Sequence, residues 1–181
     1  MLRASLNIKV TFGCSAGKLA KTLGVPEAQS KMLYANFWDG NPALKALKEA
    51  VEKYWSTKGN KKYLPGLDGR MLCTRSQHSL LNVLFQSALA IIMDYALAIM
   101  DKKLGILYLD DKGRPYYLYK GYIVRRVAYV HDEAAYESED PIAEEVSQML
   151  ATSITEASKY LKLRVLLKGE GKVGKNWKET H

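Results

Sequence analysis

Residues 80–100 form a run of almost unbroken apolarity, and no other stretch constrains the fold as strongly. A run of that length either crosses a bilayer or forms the buried spine of a globular core. Asn82, Gln86, Ser87 and Asp94 fall inside it, and each is costly in hydrocarbon. The run is therefore expected as a buried helix over about residues 76–103, with no membrane partner. His78, Asn82 and Gln86 recur at i, i+4 and i+8, so they share one face of that helix. A polar row on a buried helix needs partners. It is either an internal hydrogen-bonded network or a surface for a DNA minor groove, whose purine N3 and pyrimidine O2 acceptors occur in every base pair.

Upstream of this helix the text reads as short helices. Ser15 is a candidate N-cap, Leu19 and Leu23 share a face, and Gly24 is the stop. A second helix starts at Pro26 and runs towards Trp38. A third has Asn41 as cap and Pro42 at its first position, with Leu44, Leu47, Val51 and Tyr54 or Trp55 at helical spacing. Residues 59–69 are polar and glycine-bearing, which marks an extended connection or hairpin. Downstream, short strands are expected at 106–109 and 116–119 around a turn at 110–114, then at 122–130 and 134–137. Asp140 caps a last helix with Pro141 first inside it and Ile142, Val146, Met149, Leu150 and Ile154 as its buried stripe. A final strand is expected at 163–167. The fold class is α+β, a small antiparallel β-sheet packed on long helices.

The chain carries 27 Lys and Arg against 19 Asp and Glu, a formal net charge of +8, which favours a polyanionic partner. Cys14 and Cys73 have no zinc-type spacing and are expected as reduced thiols. Residues 1–10 lack the pattern of a signal peptide, so the expected location is the cytoplasm. No HExxH or P-loop is present.

His131-Asp132-Glu133 interrupts the strand text and is expected at a hairpin tip. Adjacent carboxylates on a rigid tip suit a divalent metal, because a turn projects them beyond the strands and oxygen ligands suit magnesium. On spacing alone a solvated acidic turn is the favoured explanation of the pair. Tyr108-Leu109-Asp110-Asp111 superficially resembles the YxDD turn of reverse transcriptases, but it runs straight into Lys112-Gly113-Arg114-Pro115, an ordinary turn.

Three blocks in order, GLDGRMLCTRSQHSLLNVLFQSALA (66–90), YVHDE (129–133) and a terminal NWKETH, resemble family A DNA polymerases, the polymerase I family, and especially its bacteriophage replicative members. The resemblance covers roughly residues 12–181. It implies that residues 1–60 are a partial helical fingers subdomain and residues 61–181 the C-terminal part of the polymerase palm. It further implies that Asp132, with Glu133 beside it, binds catalytic Mg2+ and that His131 contacts the primer terminus. Asn82 and Gln86, with His78 one turn earlier, would touch the primer-template minor groove, and Arg75 and Arg70 its phosphates.

Two departures accompany the resemblance. The family's other essential aspartate lies in a DxSxxExR motif, and no such text occurs here. The nucleotide-binding Arg and Lys of the fingers should precede FGCSAGKLAKTLG (12–24), yet Ala4 stands where the lysine belongs; Lys9 and Phe12 are weak candidates for contacts to the dNTP. The expectation is a subunit that needs a companion chain carrying the exonuclease, thumb and first palm motif, whether through a split gene, an interrupted frame or a truncation. The alternative is a non-catalytic primer-template binding module or an inactive remnant.

Overall fold

The computed structural model describes residues 14–57 and 63–180, which fall into two compact units dividing between Ala88 and Leu89. In the first unit, α1 (Ala16–Leu23) begins where the Ser15 hydroxyl accepts from the Lys18 N–H at 3.3 Å. It ends at Gly24, φ 67°, whose N–H returns to the Ala20 carbonyl. Both ends thus satisfy backbone groups that a helix leaves unpaired. In α2 (Glu27–Asp39), the fully buried Ser30 donates its hydroxyl to the Ala16 carbonyl at 2.5 Å. Leu19, Phe37, Trp38 and Leu81 form one core cluster.

α3 (Pro42–Thr57) starts at the expected proline, but Asn41 is turned the other way. Its side-chain amide donates to the Phe37 carbonyl at 2.7 Å, satisfying the end of α2 rather than the start of α3. Leu47 and Tyr54 are exposed, so the buried side of α3 narrows to Leu44, Val51 and Trp55. β1 (Tyr63–Pro65) and β2 (Met71–Cys73) form the hairpin, with Leu64 opposite Leu72 and both packed on Leu80.

α4 (Leu80–Leu104) follows a 3-10 turn at Gln77–Ser79. By length and composition it could cross a membrane. Its residues Leu80, Ile91, Ala96 and Met100 are at most 1% exposed, so this apolar surface is used inside the two units. Burying such a side chain fully contributes about 1.5–3 kcal/mol.

In the second unit, β3 (Leu107–Leu109), β4 (Pro115–Tyr119), β5 (Tyr122–Val130) and β6 (Glu133–Ser138) form an antiparallel sheet in sequential order. Lys120 and Gly121, φ 54° and 86°, make the two-residue link between β4 and β5, the geometry whose twist suits a tight hairpin. Tyr117 and Val124, paired across β4 and β5, point into a core with Met100, Leu104, Ile142 and Val146. Asp140 opens a 3-10 turn (Asp140–Ile142), and α5 (Ala143–Tyr160) continues from it. Met149 and Leu150 pack against the same core as expected.

The strand expected at 163–167 does not form. Thr155 donates its hydroxyl to the Leu167 carbonyl at 2.8 Å, the Leu167 N–H reaches the Ser158 hydroxyl at 3.3 Å, and the Leu163 N–H reaches the Ser158 carbonyl at 3.0 Å. These backbone groups are satisfied by α5, so the segment lies along a helix and not in a sheet. The short α6 (Trp177–Thr180) ends the described residues.

Burial and the Asp101 carboxylate push the Tyr117 hydroxyl up to about 12, and burial with the same carboxylate does so for Tyr136. Above pH 10, the unfolded value, the unfolded chain loses these protons while the fold keeps them, so their stabilisation is present below pH 10 and lost as pH rises to about 12. Denaturant midpoints should fall steeply over that interval and more gently in Tyr117→Phe. An unchanged alkaline slope in the variant would contradict this.

Candidate active site and nucleic-acid interface

β5 and β6 are joined through the pair Val130 and Glu133, which leaves His131 and Asp132 as a two-residue loop. Glu133 therefore opens β6 instead of sharing the tip. His131 has φ 56°, and Asp132 is not among the described non-glycine residues with positive φ. Positive φ at the first loop position alone is the pattern of a II′ turn, where glycine is preferred. A side chain there costs about 1–2 kcal/mol, although histidine is enriched among the exceptions. His131, Asp132 and Glu133 are all exposed. A strained, solvent-facing residue beside two carboxylates is the kind of position retained for function.

The hairpin is anchored from beneath by contacts that depend on an irregularity. Between Arg126 and Ala128 the register with β6 shifts by one residue, a β-bulge. Arg126 and Tyr129 are three apart and would face opposite sides of a regular strand. The extra residue puts both on the α4 side: the Arg126 guanidinium lies 3.6 Å from Asp101, and the Tyr129 hydroxyl donates to Asp94 at 3.5 Å. Desolvation first, and then Asp94, pushes the Tyr129 hydroxyl above its usual range. These four residues were not singled out as a site in the sequence. The signal available was the i, i+7 spacing of Asp94 and Asp101, the two carboxylates of this largely apolar helix.

Asp132 and Glu133 offer oxygen donors of the type magnesium takes. Among the described residues no group of three or more His, Cys, Asp or Glu side chains could enclose an ion. The tip thus fits one side of a metal site and not a whole coordination shell. The Asp110 carboxylate, in the decoy text, is already committed: it accepts from the Lys112 and Arg114 N–H groups and from the Arg114 guanidinium, bonds that hold its pKa down, and the Arg125 guanidinium lies 3.4 Å away.

In the first unit, the expected polar row is present but is not an internal network. His78 sits in the 3-10 turn and is exposed, Gln86 is exposed, and Asn82 is half-buried with its Oδ1 buried and without a hydrogen-bond partner among the described residues. No hydrogen bond joins the three among those residues. A buried amide oxygen without a partner calls for an explanation. The Trp55 indole N–H donates to the Thr74 hydroxyl at 2.9 Å, fixing the backbone just before Arg75, which is exposed. The Arg70 guanidinium is 2.7 Å from Asp68, and that hydrogen-bonded pairing lowers the carboxylate's pKa. Lys9 and Phe12 lie outside the described residues.

Residues 4–179 match the family described as DNA polymerase family A. The chain belongs to this family. It is similar to the DNA-directed DNA polymerase of Enterobacteria phage T3, 29% identical over 94% of this chain and 25% of that protein. It is 28% identical to the DNA-directed DNA polymerase of Escherichia phage T7, with the same coverage of each. The family A chain thus spans a quarter of the length of the curated relatives it matches. Among solved structures, the POL domain of Pol1 from M. smegmatis, in complex with DNA primer-template and dNTP, superposes with a TM-score of 0.67 at 18% identity. That superposition covers 85% of this chain and 26% of the other, and it carries the fold alone.

Because glycine adopts positive φ without steric cost, His131→Gly should leave chemical stability unchanged or raise it by about 1 kcal/mol. A clear loss of stability in urea denaturation would mean that the histidine side chain supports the turn rather than straining it.

Proposed function

We propose that this chain supplies part of the active site of a template-directed DNA polymerase, with Asp132 as its metal-binding carboxylate. The observation that carries the reading is the exposed two-residue tip of a family A chain, which presents Asp132 beside a strained His131. In this reading residues 1–60 belong to the fingers and 61–181 to the palm. Asp132, with Glu133 beside it, holds Mg2+, and His131 contacts the primer terminus. Asn82 and Gln86, with His78, contact the minor groove of the primer-template, donating N–H groups to the N3 and O2 acceptors there. Arg75 and Arg70 contact phosphates. For Arg70 this requires exchange of Asp68 for a phosphate oxygen.

Bound magnesium would lower the pKa of the primer 3′-hydroxyl and neutralise the leaving pyrophosphate. The residues of this chain fix where that happens: the β-bulge anchors set the height of the hairpin, and the turn aims Asp132 outward. Two carboxylates cannot complete two metal sites, and the sequence has no DxSxxExR text. We therefore assign the partner aspartate to a segment outside these residues, which would also carry the thumb, the exonuclease and the nucleotide-binding start of the fingers. A non-catalytic primer-template module is the other reading, favoured by the absence of any group of three metal-type side chains among the described residues.

Reconstitution tests the proposal. Mixed with N-terminal fragments of related polymerases that contain DxSxxExR, the chain should give magnesium-dependent primer extension. Asp132→Ala should lower its rate by roughly 10²- to 10³-fold or more, the scale of losing one preorganised electrostatic contact. Asn82→Ala should act mainly on the KM for primer-template. Full activity of a reconstituted Asp132→Ala pair would rule out the metal role, and failure of every pairing would favour the binding module.

A further inference from the structure

β3 is an edge strand of the four-stranded sheet, and among the described residues no strand lies on its outer side. Asp110 donates its N–H to the Arg114 carbonyl at 3.0 Å, so the backbone of Asp110 turns towards β4. In an antiparallel pair, residues turned towards the neighbouring strand alternate with residues turned away from it. Tyr108, paired with Tyr116, therefore also bonds to β4, and Leu107 and Leu109 direct their N–H and C=O groups at the open side. This edge is apolar as well as unpaired: Ile106, Leu107, Tyr108 and Leu109 are 70%, 53%, 41% and 67% exposed. Soluble proteins blunt such an edge with charge, proline, a bulge or shortness. β6, the opposite edge, carries Glu133 and Glu137. β3 has no charge, proline or bulge, and its only safeguard is its length of three residues, which limits pairing to a short and reversible kind.

A second copy of β3 fits this edge when it runs antiparallel about a two-fold axis through Tyr108. Leu107 then lies opposite Leu109 of the copy, and the two exchange both backbone hydrogen bonds, so every outward group of these leucines is used. A slip of one residue would set outward groups against inward ones. Tyr108 falls opposite its own copy at a position without hydrogen bonds, where side chains come closest. On that face the Arg125 guanidinium lies 5.7 Å from the Tyr116 ring, and Tyr116 stacks on Tyr108 with centroids 5.6 Å apart. The row stops at Tyr108, and the copy continues it with the same groups in reverse order. The same register sets Asp111 of one copy opposite Gly105 of the other, one helical turn from Lys102. Asp111 and Lys102 are both exposed, and neither makes an ion pair among the described residues. A strand from an unrelated protein would use the backbone edge but would match neither the ring row nor these opposite charges. A self-complementary patch of this kind closes into a dimer.

We infer that β3 is the seam of a reversible homodimer, in which two copies of the chain join their sheets edge to edge. It does not depend on the catalytic assignment of Asp132. The test is sedimentation velocity of the full chain, freed of nucleic acid, over a range of protein concentration. The parent should show a monomer–dimer equilibrium. Leu107→Pro removes an outward N–H and no bond to β4; because two such donors are lost per dimer, it should weaken association about 10-fold or more. Leu118→Ser with Ile123→Ser removes exposed apolar surface from the middle of the same sheet and should dimerise as the parent does. A second measurement reads the register. With Cys14 and Cys73 replaced by serine, Tyr108→Cys should form an intermolecular disulfide on mild oxidation, whereas Tyr116→Cys, one strand further from the axis, should not. The inference is overturned if the parent is a monomer at every concentration, if Leu107→Pro keeps the parent association, if the Leu118 and Ile123 variant loses as much, or if Tyr116→Cys cross-links as readily as Tyr108→Cys.

Discussion

The β-bulge in β5 is one extra residue, yet the anchoring of the hairpin tip depends on it. Strand alternation would send either Arg126 or Tyr129 away from α4, and one of the two contacts beneath the tip would be lost. With the bulge, both side chains face Asp101 and Asp94, the two carboxylates of α4, two turns apart. Charged and polar groups at the edge of a core are tolerated when paired and costly when not. The pairing therefore holds the strand, and the strand holds the tip. Asp94, one of the α4 residues that argue against a bilayer, is also one of the two that tether the hairpin.

Features governed by local chemistry could be read from the sequence. Ser15 and Gly24 bound α1, Pro42 opens α3, and tight turns separate β3 to β6, because caps and turns depend on a few neighbouring residues. The tip at His131 and Asp132 was visible for the same reason. What failed depended on which of several competing partners took up a group. Asn41 had the right chemistry for an N-cap, but the Phe37 carbonyl competed for its amide. Residues 163–167 have the composition of a strand, but Ser158 and Thr155 take up their backbone groups before any sheet edge can. The bulge leaves no compositional mark at all.

The polar row of α4 shows how the two levels join. Spacing placed His78, Asn82 and Gln86 on one face but left open whether they satisfy each other. In the fold no hydrogen bond joins them among the described residues, and the buried Asn82 oxygen has no partner there. Primer-template DNA is the occupant we propose for this face.

The central claim is that the hairpin tip is half of a metal clamp. Titration of the isolated chain with Mn2+, a paramagnetic substitute for magnesium, tests it directly through the broadening of backbone amide signals. The account predicts weak, saturable broadening centred on His131, Asp132 and Glu133, abolished in Asp132→Ala and tightened when a companion carrying the second aspartate is added. Broadening centred on other residues, or surviving intact in Asp132→Ala, would contradict it.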